Sequence, residues 1–211
     1  MYNNFFKRFI DIALSFIGIV VLAIPMFIVA IIIKLDSPGP VFFKQKRVGK
    51  DKKYFTIIKF RSMPVTAPHD TPTHQLENTE QLLSKFQRFE RKMSLDELPQ
   101  LFNILIGDMS IIGPRPALWN QDDLIAERDK YGANGVRPGL TGLAQISGRD
   151  ELEIPVKARL DGEYIEKMSF LFDCKCFFGT ITAVLKHDGV VEGGTGELTR
   201  VGENKAEVVT K

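Results

Sequence analysis

Apolar positions run without a break from Ile12 to Ile33, "IALSFIGIVVLAIPMFIVAIII", a stretch of 22 residues with no charge. At ~1.5 Å per residue such a helix is about 33 Å long, against a hydrocarbon core of ~30 Å, so the segment suits a bilayer. A helix buried in a globular protein would keep a polar face, and this one has none. The pattern then changes in "PVFFKQKRVGKDKKYFTIIKFRSM", where aromatic and β-branched residues on either side of the turn "GKDK" predict two strands. It becomes a repeat of three and four in "TEQLLSKFQRFERKM" and again from Ser94, where Leu95, Leu98, Leu101, Phe102 and Leu105 predict the buried stripe of a short helix. "QDDLIAERDKYG" reads as a charged helix, and "SFLFDCKCFFGTITAVLK" as a helix with a broad apolar face. That face, with Phe170, Phe172, Phe177, Phe178, Ile181, Val184 and Leu185, suits either a core or a helix lying in the headgroup plane. Between these elements "APHDTPTHQLEN" is a polar, proline-rich loop and "VRPGLTGLAQISGRD" a glycine-rich one.

These elements predict a small α/β (α+β, mostly helical) catalytic domain at 36–188, with interfacial amphipathic helices. An N-terminal membrane helix precedes it at 1–35, and a flexible polar tail follows at 189–211. Lys7 and Arg8 come before the apolar run, while Lys34, Lys44, Lys46, Arg47, Lys50, Lys52 and Lys53 come after it. Both flanks therefore look cytoplasmic by the positive-inside rule. Pro25 sits near the middle, where it removes a backbone donor and favours a kink. The expectation is a re-entrant helix broken at Ile24 and Pro25 that enters and leaves through one face, with the rest of the protein on the cytosolic side.

A net charge of +2 gives no support to nucleic-acid binding. Cys174 and Cys176 are too few for a four-ligand zinc site and too close together for an easy disulfide, which agrees with a reducing compartment. His69, His74 and His187 are scattered, and no G-x-S-x-G elbow, dinucleotide fingerprint or P-loop appears. The stretch "RKMSLDELPQLFNILIGDMSIIGPRP" is different in kind, because Asp96 and Glu97 stand side by side just ahead of Pro99. Ser94 and Glu97 have the spacing of a capping box, which would make both acids structural. Pro99, however, fits only the first turn of a helix, so free amides and the positive end of the dipole would lie beside those acids. Such a corner also receives phosphate. Two unit charges ~4 Å apart repel by about 4 kcal/mol at an effective dielectric of ~20, so a carboxylate approaching a phosphate needs a cation beside it. Magnesium and arginine are the usual sources, and Arg137 and Arg149 in the glycine-rich stretch are available for anions. Asp96 and Glu97 could supply a nucleophile and a metal ligand; their spacing does not say which acid takes which role.

Five ordered motifs resemble one family, the bacterial sugar transferases, or monotopic polyprenyl-phosphate phosphoglycosyl transferases. They are "FKRFIDI" with the apolar run after it, "SPGPVFFKQKRVG", "FTIIKFRSM", "SLDELPQLFNILIGDMSIIGPRP" and "VRPGLTGLAQISGRD". The resemblance implies transfer of sugar-1-phosphate from a UDP-sugar to undecaprenyl phosphate at the inner face of the cytoplasmic membrane, with release of UMP. It implies Mg2+, attack by Asp96 to form a covalent phosphosugar intermediate, and Glu97 as its partner. It places Arg91, Lys59, Arg115 and Asp161 at matching functional positions. Two positions depart from the family: Ile24 stands where a serine often precedes the proline, and Leu143 where a tryptophan is frequent. Two rival readings are an aspartyl-phosphate phosphatase, for which the D-x-D motif is missing, and a noncatalytic membrane scaffold for polysaccharide assembly.

Overall fold

A computed structural model describes residues 2–67, 83–148 and 152–186. A π-helical turn, Tyr2–Phe6, leads into α1, Lys7–Asp36, which runs without interruption through Pro25. Among the described residues α1 is the one helix long and apolar enough to cross a membrane. The expected hairpin follows. Strands β1, Phe42–Val48, and β2, Tyr54–Phe60, pair antiparallel with Phe43 opposite Lys59. Their tip is a 3₁₀ turn, Lys50–Lys52, in which Asp51 and Lys52 take positive φ values of 54° and 60°.

Helix α2, Lys85–Lys92, starts at a capping box: Ser84 Oγ accepts from the Gln87 amide, and Gln87 Oε1 from the Ser84 amide. The box expected at Ser94 and Glu97 does not form. Ser94 has a left-handed backbone, φ 54°, and no side-chain cap bond, because it is the corner between α2 and a 3₁₀ turn, Leu95–Glu97. Pro99 then caps α3, Gln100–Ile106, which ends at Gly107 with φ 106°, a conformation that favours glycine. The predicted stripe is also corrected. Gln100, Asn103 and Ile104 are buried, whereas Phe102 is 41% exposed, since α3 is clasped between the hairpin and α1 and turns a third side outward.

Strand β3, Ser110–Ile112, pairs parallel with β4, Gly139–Thr141. The two backbones approach so closely that a β-carbon on Gly139 would fall 2.1 Å from the Gly113 nitrogen. The glycine-rich stretch thus holds β4 and a short helix α5, Leu143–Ile146, rather than loop alone. Helix α4, Asp122–Asp129, confirms the charged-helix expectation, and α6, Ile154–Lys167, and α7, Phe170–Lys186, complete the fold. On α7, Cys176 is buried and Phe172 stacks on Tyr164, while Phe170, Leu171, Phe177, Phe178 and Ile181 are exposed. The larger share of its apolar face is therefore unburied. The side chains of Val184 and Leu185, together with Arg149, the three histidines and the tail from Gly189, lie outside what is described.

Both ends of α1 are tied to this one unit. Near its start, Arg8 donates to the carbonyls of Ile104 and Leu105 at 2.6 and 2.9 Å, Asp11 accepts from Ser110 Oγ and the Ile111 amide, and Lys7 pairs with Asp173. At its middle, Gly18 lies against Leu101. At its far end, Met26, Val29 and Ile33 pack with Phe60, Leu95 and Leu98, and Ser84 Oγ donates to Asp36. The opposite side, with Val21 and Ile24 67% and 73% exposed, is bare.

The hairpin is stitched to α3 by Asn103, whose amide group donates to the Thr56 carbonyl at 2.8 Å and accepts from the Ile58 amide at 3.0 Å. Asn103→Ala removes the partner of two partly buried backbone groups, and a loss of about 1–3 kcal/mol is expected in denaturant unfolding followed by circular dichroism in detergent. A loss under about 0.5 kcal/mol would contradict this packing.

Candidate active site

The 3₁₀ turn at 95–97 points its three side chains in opposed directions. Leu95 joins the apolar cluster against α1, which turns Asp96 and Glu97 toward the end of β2. Lys59, the penultimate residue of β2, meets them: its Nζ lies 2.8 Å from Glu97 Oε1 and 3.8 Å from Asp96 Oδ2. Arg115, in the loop after β3, places Nη2 2.7 Å from the same Glu97 oxygen. Ser62 Oγ stands 3.5 Å from Asp96 Oδ2, at the long limit of a hydrogen bond.

Burial and charge divide the two acids. For Glu97 burial opposes ionisation, but Arg115 and Lys59 outweigh it and hold the carboxyl well below the usual range. For Asp96 burial is the largest influence and pushes the carboxyl up; the Glu97 charge adds to this, against the pull of Lys59, Arg91 and Arg115. Glu97 is thus the fixed anion that binds the cations in place. Asp96 is the more basic of the two and the less engaged, which is the character of a nucleophile.

Of the other expected positions, Arg91 ends up within electrostatic reach of Asp96 at the close of α2. Asp161 belongs to a supporting layer: it is 1% exposed and accepts from Arg128 Nε at 2.8 Å, while Arg128 Nη1 donates to the Arg115 carbonyl at 2.9 Å. Asp161 is thus linked to Arg115 through Arg128. Arg137 is not brought to this corner. Its Nε donates to the Gly107 carbonyl at the opposite end of α3, beside Arg8, where two guanidinium groups satisfy the last carbonyls of that helix. Sequence reasoning misses Arg128, whose setting "AERDKYG" looks like a solvated helix, and Ser62, which carries no spacing signal.

The dyad offers hard carboxylate oxygens of the kind magnesium takes. Among the described residues no three His, Cys, Asp or Glu side chains form a metal cluster. Two carboxylates completed by substrate phosphates are nonetheless a usual magnesium arrangement, so the residues present fit that ion.

The sequence profile of the family described as bacterial sugar transferase matches residues 2–187. Over 184 residues the chain is 38% identical to the uncharacterized sugar transferase EpsL of Bacillus subtilis, spanning 87% of this chain and 89% of that protein. It is 40% identical over 185 residues to the undecaprenyl-phosphate glucose phosphotransferase of Komagataeibacter xylinus, and 34% over 202 residues to the undecaprenyl-phosphate galactose phosphotransferase of Salmonella typhimurium. Those alignments take in 83% and 89% of this chain but only 35% and 42% of the two relatives. A profile that runs from the π-helical turn to the end of α7 takes in the dyad, both cations that clamp it and the membrane helix together, and the chain belongs to the bacterial sugar transferase family.

Proposed function

We propose that this protein is a monotopic phosphoglycosyl transferase that moves sugar-1-phosphate from a UDP-sugar to undecaprenyl phosphate. The observation that carries the reading is the Asp96 corner, a buried carboxylate beside a clamped partner, set at the end of a helix that lies along α1. Asp96 attacks the phosphorus that bears the sugar. The bond from that phosphorus to the bridging oxygen breaks, its electron pair leaves with UMP, and an acyl phosphate links Asp96 to the sugar. An oxygen of the lipid phosphate then attacks the same phosphorus, and the Asp96 carboxylate departs. Arg115 and Lys59 hold Glu97 and present positive charge to the diphosphate. Magnesium, held by Asp96 and Glu97 with the substrate phosphates, would neutralise the charge that builds on the leaving group.

The placement of α1 supports the orientation. A straight helix of 30 residues is about 45 Å long, and a bilayer-spanning one would separate its ends by the membrane. Here residues 104–111 hold one end and residues 60, 84 and 95–98 the other, and attachment of both ends to one unit supports a placement on one side of the membrane. We read α1 as re-entrant, with Pro25 letting it bend within the lipid, and the exposed aromatics of α7 as lying at the headgroups. The product would begin a capsule, exopolysaccharide or glycoconjugate chain. The names of the relatives favour glucose or galactose as the sugar.

Purified protein with Mg2+, undecaprenyl phosphate and a panel of UDP-sugars should release UMP with at least one of them. Asp96→Asn should lower that rate at least about a thousandfold with the fold intact. Inorganic phosphate in place of lipid-linked sugar would favour a phosphatase, and full activity of Asp96→Asn would contradict the mechanism. For the orientation, Tyr2→Cys should resist a membrane-impermeant thiol reagent in intact cells and react once they are permeabilised. Labelling from outside would overturn the re-entrant reading.

A further inference from the structure

Helix α2 buries one acid completely. Glu90 has 0% of its surface exposed, and neither carboxyl oxygen has a hydrogen-bond partner among the described residues. An ionised carboxylate so placed would give up its hydration and receive nothing in return, so the group resides there with its proton. Four charged groups from four segments face it: Asp96 from the catalytic turn, Arg91 from its own helix, Asp36 from the end of α1, and Arg61 from the segment after β2. The two arginines do not quench it, since two acids offset them and Arg61 commits its guanidinium to the carbonyls of Ser37 and Pro38 at 2.8 and 2.6 Å. The Nε of Arg61 is itself buried without a partner among the described residues. Burial first and the Asp96 charge second lift the Glu90 carboxyl to about 8, with Asp36 adding and Arg91 and Arg61 subtracting.

We propose that Glu90 is a positioning residue for the transfer step: an uncharged carboxyl group packed behind the Asp96 turn, which leaves the negative charge of the corner to Asp96 and Glu97. The proposal rests on the phosphoryl-transfer reading given above. Lys59 and Arg115 already answer the charges of the dyad. A third anion behind Asp96 would repel the incoming diphosphate and favour protonation of the nucleophile. Glu90 therefore acts through Asp96 and never touches substrate, and its ionisation closes the corner to turnover at alkaline pH.

Two measurements on the full chain in detergent decide this. In the first, kcat and KM for UMP release are followed from pH 6 to 10 for wild type and for Glu90→Gln, which keeps the shape and cannot ionise. Wild-type kcat should fall about tenfold per unit above pH ~8, as expected for a single ionisation, while the variant shows no such fall and the two share a similar donor KM. The second is thermal unfolding without Mg2+ or substrate. Between the ordinary glutamate value of 4.5 and about 8, the unfolded chain loses the Glu90 proton while the folded chain keeps it. Wild-type stability therefore drops as pH rises through that window and levels off above it. The Tm of Glu90→Gln relative to wild type should accordingly climb from pH 5 to 8 and then hold. Superimposable kcat profiles would overturn the positioning role whatever the Tm shows, and a pH-independent Tm difference would overturn the protonated state on which it depends. A wild type inactive at every pH would overturn the transferase reading, and the kinetic role of Glu90 with it.

Discussion

Lys59 and Arg115 converge on one oxygen of Glu97, and the working geometry of the protein depends on that clamp. The two cations come from separate segments, the end of β2 and the loop after β3, and meet only because an acid is there to receive them. With Glu97 engaged, its neighbour Asp96 is left buried and lightly bonded, with a raised proton affinity. Two adjacent carboxylates of the same intrinsic chemistry thus acquire different characters from their surroundings, one held ionised by its cations and the other with a raised proton affinity, and the proposed function assigns the nucleophile to the second. The deeper layer serves the same end. Asp161 holds Arg128, and Arg128 holds the backbone of Arg115, so the clamp is braced from behind by an ion pair that solvent does not reach.

The second constraint is the way α1 lies against the catalytic unit. Its attachments at Arg8 and Asp11, at Gly18, and at Met26 through Asp36 fall along its whole length, and α3 packs beside the stretch from Arg8 to Gly18. The turn that carries Asp96 is the N-terminal approach to α3, so the position of Asp96 is fixed relative to α1. Under the proposed function this packing would hold the carboxylate at the level where a lipid-borne phosphate lies. The unburied aromatics of α7 are a further exposed apolar surface.

Features encoded by close neighbours along the chain are legible in the amino-acid sequence. Aromatic and β-branched residues around a turn locate the hairpin, the uncharged run locates α1, and the Asp96–Glu97 pair with Arg91, Lys59 and Arg115 stands in recognisable motifs. Features decided by distant partners are not legible in this way. The Ser94–Glu97 spacing suggests a cap, but cations 38 and 18 residues away from Glu97 compete for its carboxylate and win. Arg128 and Asp161 are 33 residues apart on two helices, and nothing in either stretch announces the other. Arg137 looks available for anions because its loop is rich in glycine, whereas the open carbonyls at the end of α3 claim it. Glu90 sits in a strongly charged helix where an exposed acid would pass unnoticed, and only its complete burial sets it apart.

The central claim is that Asp96 becomes covalently bonded to the phosphorus of the sugar phosphate. Its most direct test is mass spectrometry of the protein incubated with Mg2+ and a UDP-sugar that supports turnover, with the lipid acceptor withheld. The account predicts a peptide containing Asp96 heavier by one sugar phosphate, and loss of that mass when undecaprenyl phosphate is added. Sustained turnover with no modification at Asp96 at any time point would contradict it.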